Sequence, residues 1–236
     1  MITLIGFGLE MGDLTQKAIS SIKKADKIFA EVYTSDLVMT IKNIEKQIKK
    51  QIILLAREEV ESEFLIREAK SKNVVLLIPG DPLLATTHLN LISQAKKEKI
   101  QTKIIHGISV VNAITETGLH IYKFGKIASI PKFKPNYKPT SFIDILKQNK
   151  KIKAHSLLLL DIGMDTKTAI EQLEEAAKIK NFKLKKILLC SRLGTEDTKI
   201  FYEKPEVLKK VKAKLPACII IPSELHFTEE EFLKNI

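Results

Sequence analysis

The sequence predicts an α/β protein of two domains, each with a mixed or mostly parallel sheet, and three observations carry that reading. Short apolar runs alternate with amphipathic stretches of helical period, which is the pattern of βαβ units with helices on both sheet faces. The apolar runs are continuous rather than alternating, as strands buried on both sides require. The alternation breaks once, at "KIASIPKFKPNYKP" (126–139), whose three prolines no helix can run through.

The elements follow in order. "ITLIG" is the first strand, and "DLTQKAISSIKKA" is a helix with Leu14, Ala18, Ile22 and Ala25 on one face. Then come strand "KIFAEVY", helix "DLVMTIKNIEKQIKK", strand "IILLA", helix "EEVESEFLIREAK" and strand "NVVLLIPG". Helix "TTHLNLISQAKKEK", strand "TKIIHG" and helix "SVVNAITETG" complete the first half. Past the proline stretch the pattern resumes with helix "TSFIDILKQNKK", strand "HSLLLLDIG", helix "DTKTAIEQLEEAAKI" and strands "KKILLCSRLG" and "TKIFYEK". Helix "PEVLKKVKA", strand "PACIIIPS" and helix "TEEEFLKNI" finish the chain. The boundary falls around Gly118–Lys126, giving domains 1–120 and 121–236.

Composition bounds the function. The 236 residues are 44% hydrophobic and 28% charged, the balance of a folded soluble protein. No apolar run is long enough to span a bilayer, and the start "MITLIGFGLEMGD" has no basic stretch before its apolar one, so neither membrane insertion nor export is expected. Cys190 and Cys218 sit inside apolar runs without CxxC or Cys/His spacing, so they read as core residues and no metal site is expected. The net charge of +11 comes from lysines spread along the chain, with only three arginines, Arg57, Arg67 and Arg192. Arginine is the better fork for phosphates and bases, and a compositional bias toward Lys and Ile explains the charge about as well as a binding face does; what the charge supports is attraction to an acidic partner.

Ligands of open α/β sheets bind outside the carboxyl ends of the strands. Three glycine-bearing loops stand there: "GFGLEMGD", "PGDPLLATTH" and "HGISVVNA". None is a Walker A loop, and the first is not GxGxxG. In the second, Pro79 and Pro82 stiffen the turn and Asp81 is projected from the sheet edge. Asp81 either caps the next helix or accepts hydrogen bonds from a ligand. Thr86 and Thr87 read equally as helix N-caps, and His88 as a first-turn surface residue.

Taken together, "LIGFGLEMGDLT", "AEVYTS", "PGDPLLATTH" and "TGLHIYKFGK" occur in an order and spacing that resemble the diphthine synthases, a family of the tetrapyrrole-methylase-like superfamily. "PTSF", "LLLLDI" and "IIIPSELHF" continue the resemblance over nearly the whole chain, although the chain ends sooner after "FTEEEFL" than members of that family do. The resemblance implies a cytoplasmic, homodimeric methyltransferase with S-adenosylmethionine folded in a cleft between its domains. The implied substrate is translation elongation factor 2, at a histidine carrying a 3-amino-3-carboxypropyl group whose amine becomes trimethylated; no membrane or nucleic acid is implied. Carried over by local motif, the cofactor contacts are Leu9, Asp81, Leu84, Ser109, Val110 and Leu160. Leu193 in "SRLG" and Ala217 in "PACIII" carry over by strand position. The loops "HGIS" and "SRLG" depart from the family in their side chains, which backbone contacts tolerate.

Methyl transfer from a sulfonium needs mainly alignment, and an amine that still carries protons needs a base. His88 and Asp161 are candidates for that base, His106 and His120 read as structural, and the catalytic role stays unassigned. Two other readings stand beside this one. A tetrapyrrole or ribosomal RNA methyltransferase would share the glycine loops but lacks a reason for "TGLHIYKFGK". A non-catalytic RNA-binding module would need interleaved aromatics, and these make up 6% of a chain without tryptophan.

Overall fold

The computed structural model describes residues 1–31, 33 and 38–236 of the chain. These form two compact units, Met1–Asn112 and Ala113–Ile236.

The first unit is an all-parallel sheet of five strands: β1 (Ile2–Gly6), β2 (Lys27–Glu31), β3 (Ile53–Leu55), β4 (Val74–Ile78) and β5 (Thr102–Ile105). Their order is β3-β2-β4-β1-β5. Side chains of a strand point alternately to the two faces, and β4 shows why its sequence is apolar throughout. Val75 and Leu77 join a core with Ala18, Ile22, Ile41 and Ile44, whereas Val74, Leu76 and Ile78 join another with Leu65, Ile66, Leu91 and Ile92. The helices that carry the chain leftward, Gln16–Lys23 and Val38–Ile48, therefore cover one face. Those that carry it back, Phe64–Ser71 and Leu89–Lys97, cover the other. This arrangement is what right-handed crossovers impose. The connections from neighbouring strands β1 and β4 thus leave to opposite faces, which opens a crevice at their carboxyl ends.

The second unit holds a mixed sheet: β6 (Ala128–Ile130), β7 (Ser156–Leu160), β8 (Ile187–Ser191), β9 (Lys199–Glu203) and β10 (Ala217–Ile221), in the order β6-β7-β10-β8-β9. Only β6 and β7 pair in parallel. Helices Ser141–Lys151 and Thr166–Ile179 pack Phe142, Ile143, Leu146, Ile170 and Leu173 onto one face of it. Cys190 and Cys218 are opposite one another in the antiparallel pair β8–β10, both buried and both free thiols.

Several elements depart from the sequence reading. The helix expected over 58–70 is two helices, Arg57–Glu61 and Phe64–Ser71. The hydroxyl of Ser62 donates to Glu59 O (2.8 Å) and accepts from Phe64 N (3.1 Å), so this side chain competes with the helical ladder and breaks it. The helix expected over 205–213 is four residues, Pro205–Leu208, and that over 109–118 is a four-residue helix followed by a 3₁₀ turn. β6 lies unannounced in the proline stretch, where Pro131 follows the strand directly. Residues 113–120, expected with the first domain, belong to the second unit. Gly118 (φ 74°) lies so close to the Phe232 ring that a Cβ would overlap it, and the amide of His120 donates to Glu229 (2.7 Å). Among the described residues no helix is long and apolar enough to cross a membrane.

Candidate active site at the ends of the parallel strands

The carboxyl ends of β1, β4 and β5, neighbours in the sheet, carry the three glycine loops. Gly8 and Gly80 pair through their backbones, with Gly80 N donating to Gly8 O at 2.9 Å. The carbonyl of Gly80 also fills the space where Gly6 and Gly107 would otherwise carry a Cβ. Glycine is needed here because three backbones meet without room for a side chain. Gly80 itself has φ 66° and faces Ser109, whose Cβ is 3.6 Å from where its own Cβ would be.

On this floor the side chains are held individually. Asp13 accepts from the amides of Leu9 (2.7 Å) and Glu10 (3.1 Å), which fixes the first loop at Leu9. Asp81 is 6% exposed; one carboxylate oxygen accepts from Leu83 N (2.9 Å) and the other lies 2.7 Å from His106 Nδ1. It caps no helix. His106 is largely exposed, so it is a loop histidine that leans on Asp81. Ser109 is buried, with its amide and hydroxyl both on Asn112 Oδ1 (3.1 and 3.4 Å), and Val110 starts the short helix that follows. Leu84 and Ile108 are exposed apolar side chains of the β4 and β5 loops. The structure thus brings Leu9, Asp81, Leu84, Ser109 and Val110 to one sheet edge.

The second-unit residues also share an edge. Leu160 ends β7 and Ala217 begins its antiparallel neighbour β10, one residue beyond the Leu159–Cys218 pair. Ala217 pairs on its other side with Ser191, two residues before Leu193, which is buried. Asp161, offered as a base, is occupied in its turn: it accepts from Lys132 N (2.8 Å) and Ile162 N (2.9 Å).

The end of the β4 loop overturns the expectation for "TTH". Neither threonine caps the helix Leu89–Lys97; His88 stands at its N-cap without a side-chain cap bond, and its ring is buried. His88 Nδ1 is 2.6 Å from Thr86 Oγ1, and Nε2 is 3.4 Å from a carboxylate oxygen of the fully buried Glu31. Sequence reasoning missed Glu31. The one available signal was an acidic residue placed directly after the apolar run "IFA" of the strand. Of "AEVYTS", only Ala30, Glu31 and Tyr33 are described; the remainder lies outside the described residues. Burial first, and then the Glu31 carboxylate, raise the pKa of the Tyr33 phenol, which stays a protonated neighbour of that acid.

A crevice floored by glycine backbone, with one buried carboxylate and two exposed apolar side chains, fits a ligand with an apolar ring system and polar ends. S-adenosylmethionine has that chemistry.

A profile of the tetrapyrrole (corrin/porphyrin) methylases matches residues 1–207. The diphthine synthase of Methanococcus maripaludis strain C6 is 39% identical over 251 residues, covering 100% of this chain and 98% of that protein. That of Methanococcus aeolicus is 41% identical with the same coverage. A crystal structure of diphthine synthase superposes with a TM-score of 0.91 at 34% identity, over 99% of this chain and 94% of that one.

Proposed function

Because this chain belongs to the tetrapyrrole methylase family and, within it, to the diphthine synthases, we propose that it methylates the 3-amino-3-carboxypropyl group on a histidine of translation elongation factor 2. The observation that carries this reading is the end-to-end match with diphthine synthases, which leaves no part of the described fold to a different chemistry. The tetrapyrrole, ribosomal RNA and RNA-binding readings have no comparable support. The chain is a methyltransferase, and S-adenosylmethionine is the donor we assign to it.

Bound in the crevice, that cofactor supplies an activated methyl group. The residues of the chain bind and orient it. Asp81 accepts a hydrogen bond from a polar end of the ligand, Leu84 and Ile108 cover apolar surface, and the backbones at Leu9, Ser109 and Val110 approach closely because the glycines allow it. We also assign cofactor contact to Leu160, Leu193 and Ala217, on the ground of the likeness to the diphthine synthases. Positioning of this kind supplies much of the acceleration in a displacement reaction. The enzyme works as a homodimer in the cytoplasm, and its net charge of +11 favours encounter with an acidic protein surface.

Transfer of labelled methyl groups from S-adenosylmethionine tests the reading, with purified elongation factor 2, ribosomal RNA and a porphyrinogen offered side by side. Label should enter the factor alone; label entering the RNA or the porphyrinogen instead would refute it. For the cofactor site, Asp81→Asn keeps the size of the turn residue and removes the charge. A charge-assisted hydrogen bond is worth about 1.5–3 kcal/mol, so calorimetry should show S-adenosylmethionine affinity falling by that amount with the circular dichroism unchanged. Equal affinity would leave Asp81 as the anchor of its turn and nothing more.

A further inference from the structure

Glu31 and His88 are a buried acid and base that alignment of a methyl donor does not require. Glu31 is 0% exposed and His88 2%, and both lie at the carboxyl end of the first sheet, on the β2 strand end and the β4 loop. Burying two ionisable groups is costly and places such pairs preferentially at functional sites. Their route outward is Thr86. Its hydroxyl is 2.6 Å from His88 Nδ1 and 3.3 Å from Pro82 O, and it also accepts from His88 N at 3.0 Å. The histidine is the nearer partner. Thr86 is partly exposed, five residues along the same loop from Asp81. Ala85 before it has φ 56°, a left-handed conformation uncommon for a residue other than glycine, which sets the direction of Thr86.

We propose that Thr86, His88 and Glu31 form a relay that takes the proton from the substrate amine, with Thr86 as the group that touches the substrate and His88 and Glu31 as positioning residues behind it. This inference rests on the function proposed above. An alkyl amine is an ammonium at neutral pH and has no lone pair with which to attack. In the relay, the ammonium gives one proton to Thr86 Oγ1 while the hydroxyl proton of Thr86 passes to His88 Nδ1. The products are a neutral amine, an unchanged threonine and an imidazolium whose Nε2 faces the Glu31 carboxylate. No electrons change hands, and the histidine resets by losing its proton to solvent. The direction requires Nε2 to carry the resting proton and Nδ1 to accept. The 3.4 Å between Nε2 and Glu31 is longer than a formed hydrogen bond, and such contacts shorten in substrate complexes. Among the described residues, the charged and titratable groups around the relay include Tyr33 beside Glu31, and Arg57 and Glu61, the latter 3.3 Å from the Thr87 hydroxyl. Asp81 and His106 stand on the adjoining loops.

Two measurements test it. The first is nitrogen NMR of His88 in the protein alone, which is independent of turnover. The relay predicts a ring whose proton sits on Nε2, and a larger Nδ1-protonated fraction in Glu31→Gln; a ring protonated on Nδ1, or a tautomer indifferent to Glu31, overturns it. The second is the pH profile of methylation. Positioned proton transfer contributes about 10²–10⁴-fold, so Thr86→Val should lower kcat by 10²-fold or more at neutral pH with unchanged cofactor affinity. The loss should shrink as rising pH deprotonates the amine, and Thr86→Ser should retain activity. His88→Gln should behave as Thr86→Val does if it folds, and Thr86→Val decides the question if it does not. A loss independent of pH, or no loss, contradicts the relay. Wild-type enzyme inactive on the factor would refute the proposed function instead, while the NMR result would still decide the geometry.

Discussion

Replacing Glu229 with alanine is expected to destabilise the protein by about 3–5 kcal/mol, the cost of removing one partner from a buried charged cluster. Glu229 is 0% exposed on the terminal helix Phe227–Leu233. Its carboxylate accepts from Lys123 Nζ (2.6 Å), the amides of His120 and His226 (2.7 Å each) and His155 Nε2 (3.1 Å). His155 Nδ1 accepts in turn from Ser223 N at 2.9 Å. Burial alone would push the carboxyl pKa up, but Lys123, the two amides and His155 outweigh it and hold the value down at about 2. Without the carboxylate, two amides lose their acceptor together, and Lys123 keeps only the Glu224 carbonyl, 2.6 Å from its Nζ. Denaturant unfolding with an unchanged m-value would measure the loss, and a change below 1 kcal/mol would show that the cluster relaxes onto water.

The same group sets a pH dependence. An unfolded Glu takes up its proton near its ordinary value of 4.5, and the folded one only near 2. The unfolded state therefore binds more protons in that window, and the stability from Glu229 is complete above it and lost as pH falls through it. His155 acts in the same direction from higher pH. Burial lowers its pKa, so the unfolded state protonates first as pH drops below 6.5. Glu229→Gln should abolish the low-pH loss and leave the His155 part.

Gly6→Ala is the second large effect. A Cβ there would run into Gly80 O and stand 2.7 Å from Gly107 N and 2.9 Å from Pro82 Cδ. Overpacking costs about 1–3 kcal/mol where side chains can yield, and more where the obstacle is backbone. Here it is backbone on two sides, from strands pinned in a parallel ladder. The three loops must separate, so the variant should lose stability and cofactor affinity together. A variant that keeps both would mean that the crevice is more adaptable than its contacts indicate.

What could be read in the sequence follows from the range of the interactions. β1, β4 and the helices around them are visible because each strand is buried on two faces and each helix on one, which leaves a periodic signature. The break at Ser62 is invisible to periodicity, since it depends on where one hydroxyl bonds. β6 was hidden because three residues cannot establish a period and prolines follow them. At the site, the turn around Asp81 was legible from its prolines and glycine. The pairing of His88 with Glu31 was not, because 57 residues separate them and only the sheet order β2-β4 brings their ends together. The same holds for Glu229, which joins the terminal helix to "TGLHIYK" across the second unit.

On the proposed function, the enzyme converts the modified histidine of elongation factor 2 to its trimethylated form with S-adenosylmethionine. Mass spectrometry of the peptide carrying that histidine, after incubation of the factor with enzyme and cofactor, tests it most directly. The peptide should be heavier by three methyl groups, with fragmentation placing all three on the amine of the modified side chain. An unmodified peptide, under conditions where calorimetry shows the enzyme binding S-adenosylmethionine, would contradict it.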